Sequence, residues 1–256
     1  KKNIITITTN TSFKPSKQQI IKQALNFHSQ GNTKEAAKYY KYFIKQGFVD
    51  HRVFSNYGII LQSLGKLKEA EIYIRKAIKI NPIFAQGYTN LGSILNDQGN
   101  LKEAEIYIRK AIEIKPNDSG AHNDLSLILK GLDKLKEAEI SARRAIKFQP
   151  DNSRNFQNLG NILARLGNSQ EALDSYLKAI NLNQKDIVSY TSITRLLKDS
   201  DLENFERSKL KTILNQLLEE NNISHKDLFD VFKLLYKNEL MVNLKNLDST
   251  YPKIEL

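Results

Sequence analysis

The chain has 256 residues, and its 39 lysines and arginines against 28 aspartates and glutamates give a net charge of +11. It contains no cysteine, which excludes disulfides, thiol catalysis and cysteine-bound metals. No apolar run approaches the ~18 residues that span a bilayer, so we expect no membrane insertion. A basic surface attracts nucleic acid or acidic partners. However, lysine, asparagine and isoleucine are abundant together here, as AT-rich codon usage produces.

Residues 1–16 come first, and they show no helical period. We predict an extended or mobile leader for this segment. Two lysines lead into polar, threonine-rich sequence, which is not a signal peptide, and we expect a cytoplasmic protein. Because the first residue is not methionine, we interpret the chain as a piece of a longer protein.

Five repeats of 34 residues follow the leader. Gly31, Gly65, Gly99, Asp133 and Gly167 are spaced 34 residues apart, and each is followed five residues later by alanine. The segments 65–82 and 99–116 match at 15 of 18 positions, which indicates duplication. The predicted units are 17–50, 51–84, 85–118, 119–152 and 153–186. A fixed period of this length predicts a stack of one repeated supersecondary unit.

Each unit is predicted to form two helices. Apolar residues recur at unit positions 4, 7, 8 and 11 and again at 20, 24 and 27, which is the period of a buried helical stripe. Position 15, between the helices, is usually glycine, as a turn with positive φ requires. Position 8 is small, as in Gly58 and Gly92, which predicts a close approach of the two helices. Pro82, Pro116 and Pro150 end three second helices.

Beyond residue 186 the repeat decays. Residues 187–220 keep apolar residues at positions 4, 11, 24 and 27 but lose the small ones, which predicts a degenerate sixth unit. The sequence SHKD at 224–227 is typical of a capping box that opens a further helix. We expect capping helices and a tail over 221–256, because the last unit of a solenoid must shield its apolar face from water.

The period, the glycine and alanine pattern and the proline at position 32 resemble the tetratricopeptide repeat family. The resemblance covers residues 17–186. Position 4 departs from the family, because Ile20, Phe54, Tyr88 and His122 stand where tryptophan is usual. The resemblance implies an all-α fold, a right-handed superhelical solenoid of antiparallel helix pairs. It also implies that the first helices line a concave groove.

The candidate binding residues lie on the predicted first helices. At position 6, Asn56, Asn90 and Asn158 resemble the asparagine ladder of O-linked N-acetylglucosamine transferases, whose amides hold the backbone of an extended peptide. Asp124 and Lys22 interrupt this ladder, since a carboxylate only accepts hydrogen bonds and an ammonium only donates them. The flanking candidates are Arg52, Gln86, Thr89, Asn123, Arg154, Gln157 and Asn161. Because asparagine is common in this chain, duplication of an incidental residue is the competing explanation.

No constellation of residues points to catalysis or to a metal. The four histidines are His28, His51, His122 and His225. None has i, i+3 or i, i+4 spacing to another. Glutamates of the repeated KEAE motif form i, i+4 pairs such as Glu71–Arg75, which support a helix rather than acid–base chemistry. Nucleotide-binding glycine motifs are missing. We therefore expect a protein that is not an enzyme and needs no cofactor.

We predict a protein-interaction scaffold that binds an extended peptide or a partner helix in the groove. Nucleic acid is not expected as a partner, because RNA-binding helical repeats prefer a slightly longer period and the position-4 aromatics are explained by core packing. Two alternatives stay open. The chain is the targeting module of a larger glycosyl- or methyltransferase whose catalytic domain lies outside it, or it self-associates.

Overall fold

The computed structural model describes residues 15–184, 186–200, 205–206 and 208–213. Within these ranges all regular secondary structure is helical. The chain divides into two units, residues 1–133 and 134–256. The first fourteen residues of the predicted leader and the predicted capping helices after residue 220 lie outside the described residues.

In the first unit, seven helices are described. They are α1 (Lys17–Ser29), α2 (Thr33–Lys45), α3 (His51–Ser63), α4 (Leu67–Ile80), α5 (Ala85–Asp97), α6 (Leu101–Ile114) and α7 (Ser119–Gly131). Helix α1 packs on α2, α3 on α4 and α5 on α6, and each pair contacts the next through α2 and α3, α4 and α5, or α6 and α7.

In the second unit, four long helices and one short helical segment are described. They are α8 (Leu135–Phe148), α9 (Ser153–Arg165), α10 (Ser169–Leu182), α11 (Ile187–Asp199) and the segment 208–213. Helix α9 packs on both α8 and α10, and α10 packs on α11. The predicted all-α fold of consecutive packed helices is therefore confirmed.

A glycine sets the spacing within the pairs α3–α4, α5–α6 and α9–α10. A Cβ built on Gly92 of α5 would lie only 2.5 Å from Ile108 Cδ1 of α6, and one on Gly58 of α3 would lie 2.7 Å from Ile74 Cδ1 of α4. Both isoleucines are fully buried. The small residues at position 8 therefore let the apolar side chain of the second helix pack directly on the first helix, as predicted.

The buried stripe of the first helices is wider than the sequence analysis predicts. Position 10 is apolar and almost completely buried in α3, α5, α7 and α9, where it is Ile60, Ile94, Ile128 and Ile162. Position 3 is buried in the same helices. Each first helix lies between its own second helix and the second helix of the preceding repeat wherever these are described in one unit, so it buries two flanks instead of one.

The turn between the two helices of a repeat has left-handed backbone conformation. Gly31, Gly65, Gly99 and Gly167 have φ between +71° and +82°, and Asp133 has φ +61°. Only glycine adopts this region without strain, although aspartate and asparagine tolerate it. The prediction for position 15 is confirmed, and the aspartate that replaces glycine there keeps the same turn.

Replacing Gly99 by alanine should lower the free energy of unfolding by about 1–2 kcal/mol, because φ of +81° forces an added Cβ against the backbone. Crowding is not the cause, since no atom among the described residues lies within 4 Å of that Cβ beyond the neighbours of Gly99. Asparagine should cost less than alanine at this position. Urea unfolding followed by circular dichroism measures both variants, and an alanine variant as stable as the wild type would contradict the backbone argument.

Candidate binding surfaces

The position-6 asparagines of α3 and α5 each bond to the preceding repeat. Asn56 Nδ2 donates to Tyr40 Oη of α2 at 3.1 Å. Asn90 Nδ2 donates to Ser55 Oγ of α3 at 2.9 Å. Both asparagines are half-buried. The structure thus gives these amides a role in joining neighbouring repeats, which the sequence analysis did not foresee.

Each of these amides keeps part of its hydrogen-bonding capacity. An asparagine side chain has two N–H donors and an oxygen with two lone pairs. Asn90 Oδ1 also accepts from Gln86 Nε2 at 2.8 Å, which leaves one donor and one lone pair at Asn90. Among the described residues, the side chain of Asn56 makes one hydrogen bond, through Nδ2. The first-helix surface around α3 and α5 therefore presents amide groups that are oriented by the fold and only partly used.

The remaining candidates of the first unit differ in exposure. Arg52 is exposed and its guanidinium is held by Asp50, with Nε 3.1 Å from Oδ1 and Nη2 2.9 Å from Oδ2. Thr89 and Asp124 are half-buried. Asn123 is only 8% exposed, so its side chain lies mostly inside the helix packing.

The Asp50 carboxylate that holds Arg52 also caps helix α3, because Oδ1 accepts from the Arg52 backbone N–H at 2.9 Å. Burial acts to raise the pKa of Asp50, but the hydrogen bonds from Arg52 outweigh it and the pKa lies below its usual value. The Arg52 side chain is consequently presented in one orientation beside the start of the helix.

A second polar link between α3 and α5 was not predicted. Gln62 Nε2 of α3 donates to Ser93 Oγ at 3.0 Å and to Asp97 Oδ2 at 2.7 Å on α5. Together with the Asn90–Ser55 bond, it fixes the two first helices of neighbouring repeats side by side. These bonds join residues about one repeat apart, and the following repeats have Asn96 and Lys130 at the position of Gln62, so periodicity alone could not identify the link.

In the second unit the candidates lie on α9. Arg154 is exposed, and Gln157 Nε2 lies 3.4 Å from Asp186 Oδ1. Asn158 is only 6% exposed. Asn161 Oδ1 accepts from Tyr176 Oη of α10 at 2.9 Å. Most of these polar groups therefore face the packing within the unit, and the surface they offer is smaller than the sequence predicts.

Tyr176, the donor to Asn161, is a buried phenol. Burial raises its pKa to about 12, although a hydrogen bond with Ser192 and the charge of Arg195 act in the opposite direction. Tyr176 therefore stays a neutral hydrogen-bond donor over the whole physiological range, and Asn161 is held by it.

On the other side of the first unit, Arg75 of α4 joins three partners. Its Nε donates to Glu71 Oε1 at 2.8 Å, its Nη2 to Glu103 Oε1 at 2.7 Å and its Nη1 to Tyr107 Oη at 2.7 Å. Glu103 and Tyr107 belong to α6 of the next repeat. Burial acts to lower the pKa of Arg75, but its hydrogen bonds with Glu103, Glu71 and Tyr107 raise it overall. The predicted i, i+4 pair of Glu71 and Arg75 is therefore one part of a network that joins two repeats.

The second unit repeats this arrangement at equivalent positions. Arg143 of α8 donates through Nε to Glu139 Oε1 and through Nη2 to Glu171 Oε2 of α10, both at 2.8 Å. In each unit one arginine therefore bridges a glutamate of its own helix and a glutamate of the following second helix.

His122 is a packing residue. It is 2% exposed, and its Nε2 lies 2.8 Å from the carbonyl oxygen of Pro116.

Among the described residues, no group of three or more histidine, aspartate or glutamate side chains is arranged to hold a metal ion. In the same part of the chain, no helix has the length and apolar character needed to cross a membrane.

An open depression of about 770 Å³ lies at the start of α4, where its lining includes Lys68, Glu71 and Gln98. None of the predicted first-helix binding residues lines it.

Comparison with known families identifies the repeat. Models of the tetratricopeptide repeat match residues 51–84, 85–118, 119–152 and 142–174. The chain carries tetratricopeptide repeats. Such repeats are typical of protein-interaction modules and are typically non-catalytic. No curated protein matches the chain at a significant level.

Solved tetratricopeptide repeat proteins share the fold at low sequence identity. TTC0263 of Thermus thermophilus is 19% identical with a TM-score of 0.59, and the match covers 71% of this chain and 99% of TTC0263. YrrB, described as a TPR protein with an unusual peptide-binding site, is 21% identical with a TM-score of 0.56 over 69% of this chain and 91% of its own. MamA from Desulfovibrio magneticus RS-1 is 20% identical with a TM-score of 0.58 over 66% and 96%.

Replacing Arg75 by alanine should destabilise the first unit by roughly 0.5–1.5 kcal/mol, because two partly exposed carboxylates of different repeats lose their common partner. Thermal and urea unfolding measure the loss. The matched control is Lys110→Ala, which removes an exposed pair with Glu113 inside a single helix and should leave stability almost unchanged. Equal effects of the two substitutions would contradict the link between repeats.

The Arg75 network should also make stability depend on pH. Burial acts to raise the pKa of Glu71, but hydrogen bonds from Arg75 and Gln98 outweigh it and lower the pKa overall. A carboxylate whose pKa is lower in the folded state stabilises that state above its unfolded pKa of about 4.3. This contribution is lost as the pH falls through the lower folded value.

We therefore expect wild type to exceed Glu71→Gln in stability at pH 7 and the difference to shrink as the pH falls below about 4. Urea unfolding of both proteins from pH 7 to pH 3 measures it. A difference that is constant across this range would show that the charge of Glu71 contributes nothing.

Proposed function

We propose that the protein is a non-catalytic interaction scaffold that binds an extended peptide, or a partner helix, on the first helices of its repeats. In the first unit the proposed contact surface is formed by Arg52, Asn56, Gln86, Asn90 and Asp124, with Thr89 beside them. The observation that carries the proposal is the orientation of Asn56 and Asn90. Each is held in place by the preceding repeat while keeping donor and acceptor capacity.

The spacing of the amides suits an extended chain. Packed helices lie about 8–10 Å apart, and an extended peptide advances about 3.4 Å per residue. Successive first helices with a similar spacing would thus meet a peptide about once every three residues. An amide offers both a donor and an acceptor, so it pairs with a peptide group without reading the side chain. Arg52 and Asp124 would then add selectivity for charge.

In the second unit, Arg154, Gln157 and Asn161 are the proposed contacts. Asn158 and, in the first unit, Asn123 are buried, so we assign them to shaping the surface rather than to direct contact. The affinity of a single segment should be modest, about micromolar, because each hydrogen bond contributes only about 0.5–1.5 kcal/mol. The peptide-binding site named for YrrB supports this class of function.

Substituting Asn56 and Asn90 together by alanine should weaken peptide binding by roughly 5- to 100-fold, because two contacts of about 0.5–1.5 kcal/mol each are removed. The probe is a peptide selected from a random display library on the wild-type protein and retained only if the Ile72→Ser/Ile106→Ser variant binds it equally well, which excludes peptides bound by exposed residues of the second helices. Its affinity is measured by fluorescence anisotropy. Since both asparagines also bond to the preceding repeat, the melting temperature of the variant is recorded to confirm that it is folded at the temperature of the assay.

The matched control is Lys68→Gln/Lys102→Gln, two exposed substitutions on the second helices of the same repeats. This control should bind the selected peptide as the wild type does. Unchanged binding by the folded asparagine variant, or failure to select any peptide that contacts the first helices, would refute the proposal.

A further inference from the structure

In the second and third repeats, residues 51–118, the helical lysines lie on the second helices. Helix α4 carries Lys68, Lys76 and Lys79, and α6 carries Lys102 and Lys110, whereas α3 and α5 contain no lysine. A codon bias would place lysine at any exposed position of the repeat. The exposed positions of the first helices α3 and α5 carry Arg52, Ser63, Gln86 and Asp97 instead. The segregation therefore assigns different chemistry to the two sides of the same repeats.

Most of these ammonium groups form no ion pair among the described residues. Within the described residues, Lys68, Lys79 and Lys102 form no ion pair, and Lys76 lies over the ring of Tyr73 at 5.3 Å. All four are exposed. Lys110 differs, because it pairs with Glu113 at 2.7 Å. The second helices thus present positive charge that is not neutralised within the fold.

Isoleucines stand between these lysines. Ile72 of α4 is 54% exposed and Ile106 of α6 is 65% exposed. Each lies four residues after a lysine, Lys68 or Lys102, on the same side of its helix. Complete burial of an apolar side chain of this size by a partner would contribute about 1.5–3 kcal/mol to the free energy of binding. Ile72 and Ile106 occupy equivalent positions of neighbouring repeats, and together they give this surface an apolar centre with lysines around it.

The two helices are fixed relative to each other. Arg75 of α4 bonds to Glu103 and Tyr107 of α6, and so links the two helices that carry this surface. The positions of the lysines and isoleucines are consequently preset rather than assembled on binding, which lowers the entropy cost of docking.

From this arrangement we propose a second binding surface, formed by Lys68, Ile72, Lys76, Lys79, Lys102 and Ile106, for an acidic amphipathic segment of a partner protein. Its carboxylates would pair with the lysines, and its apolar residues, spaced three or four apart, would cover the isoleucines. The surface lies on the second helices, so it is separate from the first-helix surface of the proposed function.

The charges on the same side favour a protein over other anionic partners. The exposed side chains of Glu69 and Glu103 lie among the lysines. A uniformly anionic bilayer or a phosphate backbone would be repelled by them, whereas a protein segment can place a cation or a neutral group opposite each one. A nucleic acid backbone also offers nothing to cover Ile72 and Ile106.

The same pattern occurs independently in the second unit. Helix α8 carries Lys136, Ile140, Arg144 and Lys147, all exposed, and Ile140 is 54% exposed. Lys136 and Ile140 have the same four-residue spacing as Lys68 and Ile72. Helix α8 is therefore a further place where a segment of the same chemistry would bind.

The first test is selection of random displayed peptides on the complete 256-residue chain, with counter-selection on the folded double variant Ile72→Ser/Ile106→Ser. We expect enriched peptides to be rich in aspartate and glutamate, with apolar residues three or four positions apart. Enrichment of peptides without net negative charge, or no enrichment over the counter-selecting variant, would overturn the proposal.

The affinities of the enriched peptides are then compared among variants. We expect Ile72→Ser/Ile106→Ser to lose roughly 10- to 100-fold and Lys68→Gln/Lys102→Gln about 5- to 10-fold. The loss for the lysine variant should diminish when NaCl is raised from about 0.05 to 0.3 M. The apolar control is Ile187→Ser/Val188→Ser on α11, where both residues are at least half exposed, and it should bind as the wild type.

Further controls separate this surface from the first-helix surface and from other anions. The Asn56→Ala/Asn90→Ala variant should bind the acidic peptides normally, so the two proposals fail independently. Phosphatidylserine vesicles and a DNA duplex are tested in parallel. Binding of either one that depends on Lys68 and Ile72, without selection of acidic peptides, would assign the surface to a membrane or a nucleic acid and refute the protein partner.

Discussion

In the pairs α3–α4, α5–α6 and α9–α10, the contact between the two helices depends on the absence of a side chain at one position. Gly58 and Gly92 leave room for Ile74 and Ile108, which approach the first helix so closely that a Cβ would overlap them. This contact sets the height and rotation of the second helix against the first. The relative height and rotation of the two helices also determine where their exposed residues lie. The amides of the first helices and the lysines of the second helices therefore recur at equivalent places in neighbouring repeats.

Much of the fold follows from local rules that the sequence displays. The turn at position 15, the prolines after the second helices and the 3.6-residue stripes each involve neighbours in sequence. The partners of the polar side chains do not. Asn90 bonds to Ser55 and Arg75 bonds to Glu103, across 35 and 28 residues. The rotamer of each of these side chains depends on the packing of two repeats. The recurrence of asparagine at position 6 therefore does not predict which group each asparagine bonds to.

Polar side chains in these repeats serve two purposes at once. Asn90 joins α5 to α3 and still offers hydrogen-bonding groups to a ligand, while Arg75 joins α4 to α6, the two helices that carry the exposed lysines and isoleucines. A mutation at either residue therefore changes the stacking of repeats together with the surface above it. Exposed neighbours such as Lys68 and Ile72 have no such double role, so substitutions at these residues would change binding without changing the stability of the fold.

The hydroxyl of Tyr40 lies 3.1 Å from both Asn56 Nδ2 and His28 Nδ1. A phenol has one proton to give. Its oxygen has two lone pairs, so it accepts from the amide of Asn56 and remains bonded to the His28 ring. One oxygen atom of α2 therefore connects a side chain of α1 with a side chain of α3, and loss of that atom would separate both at once.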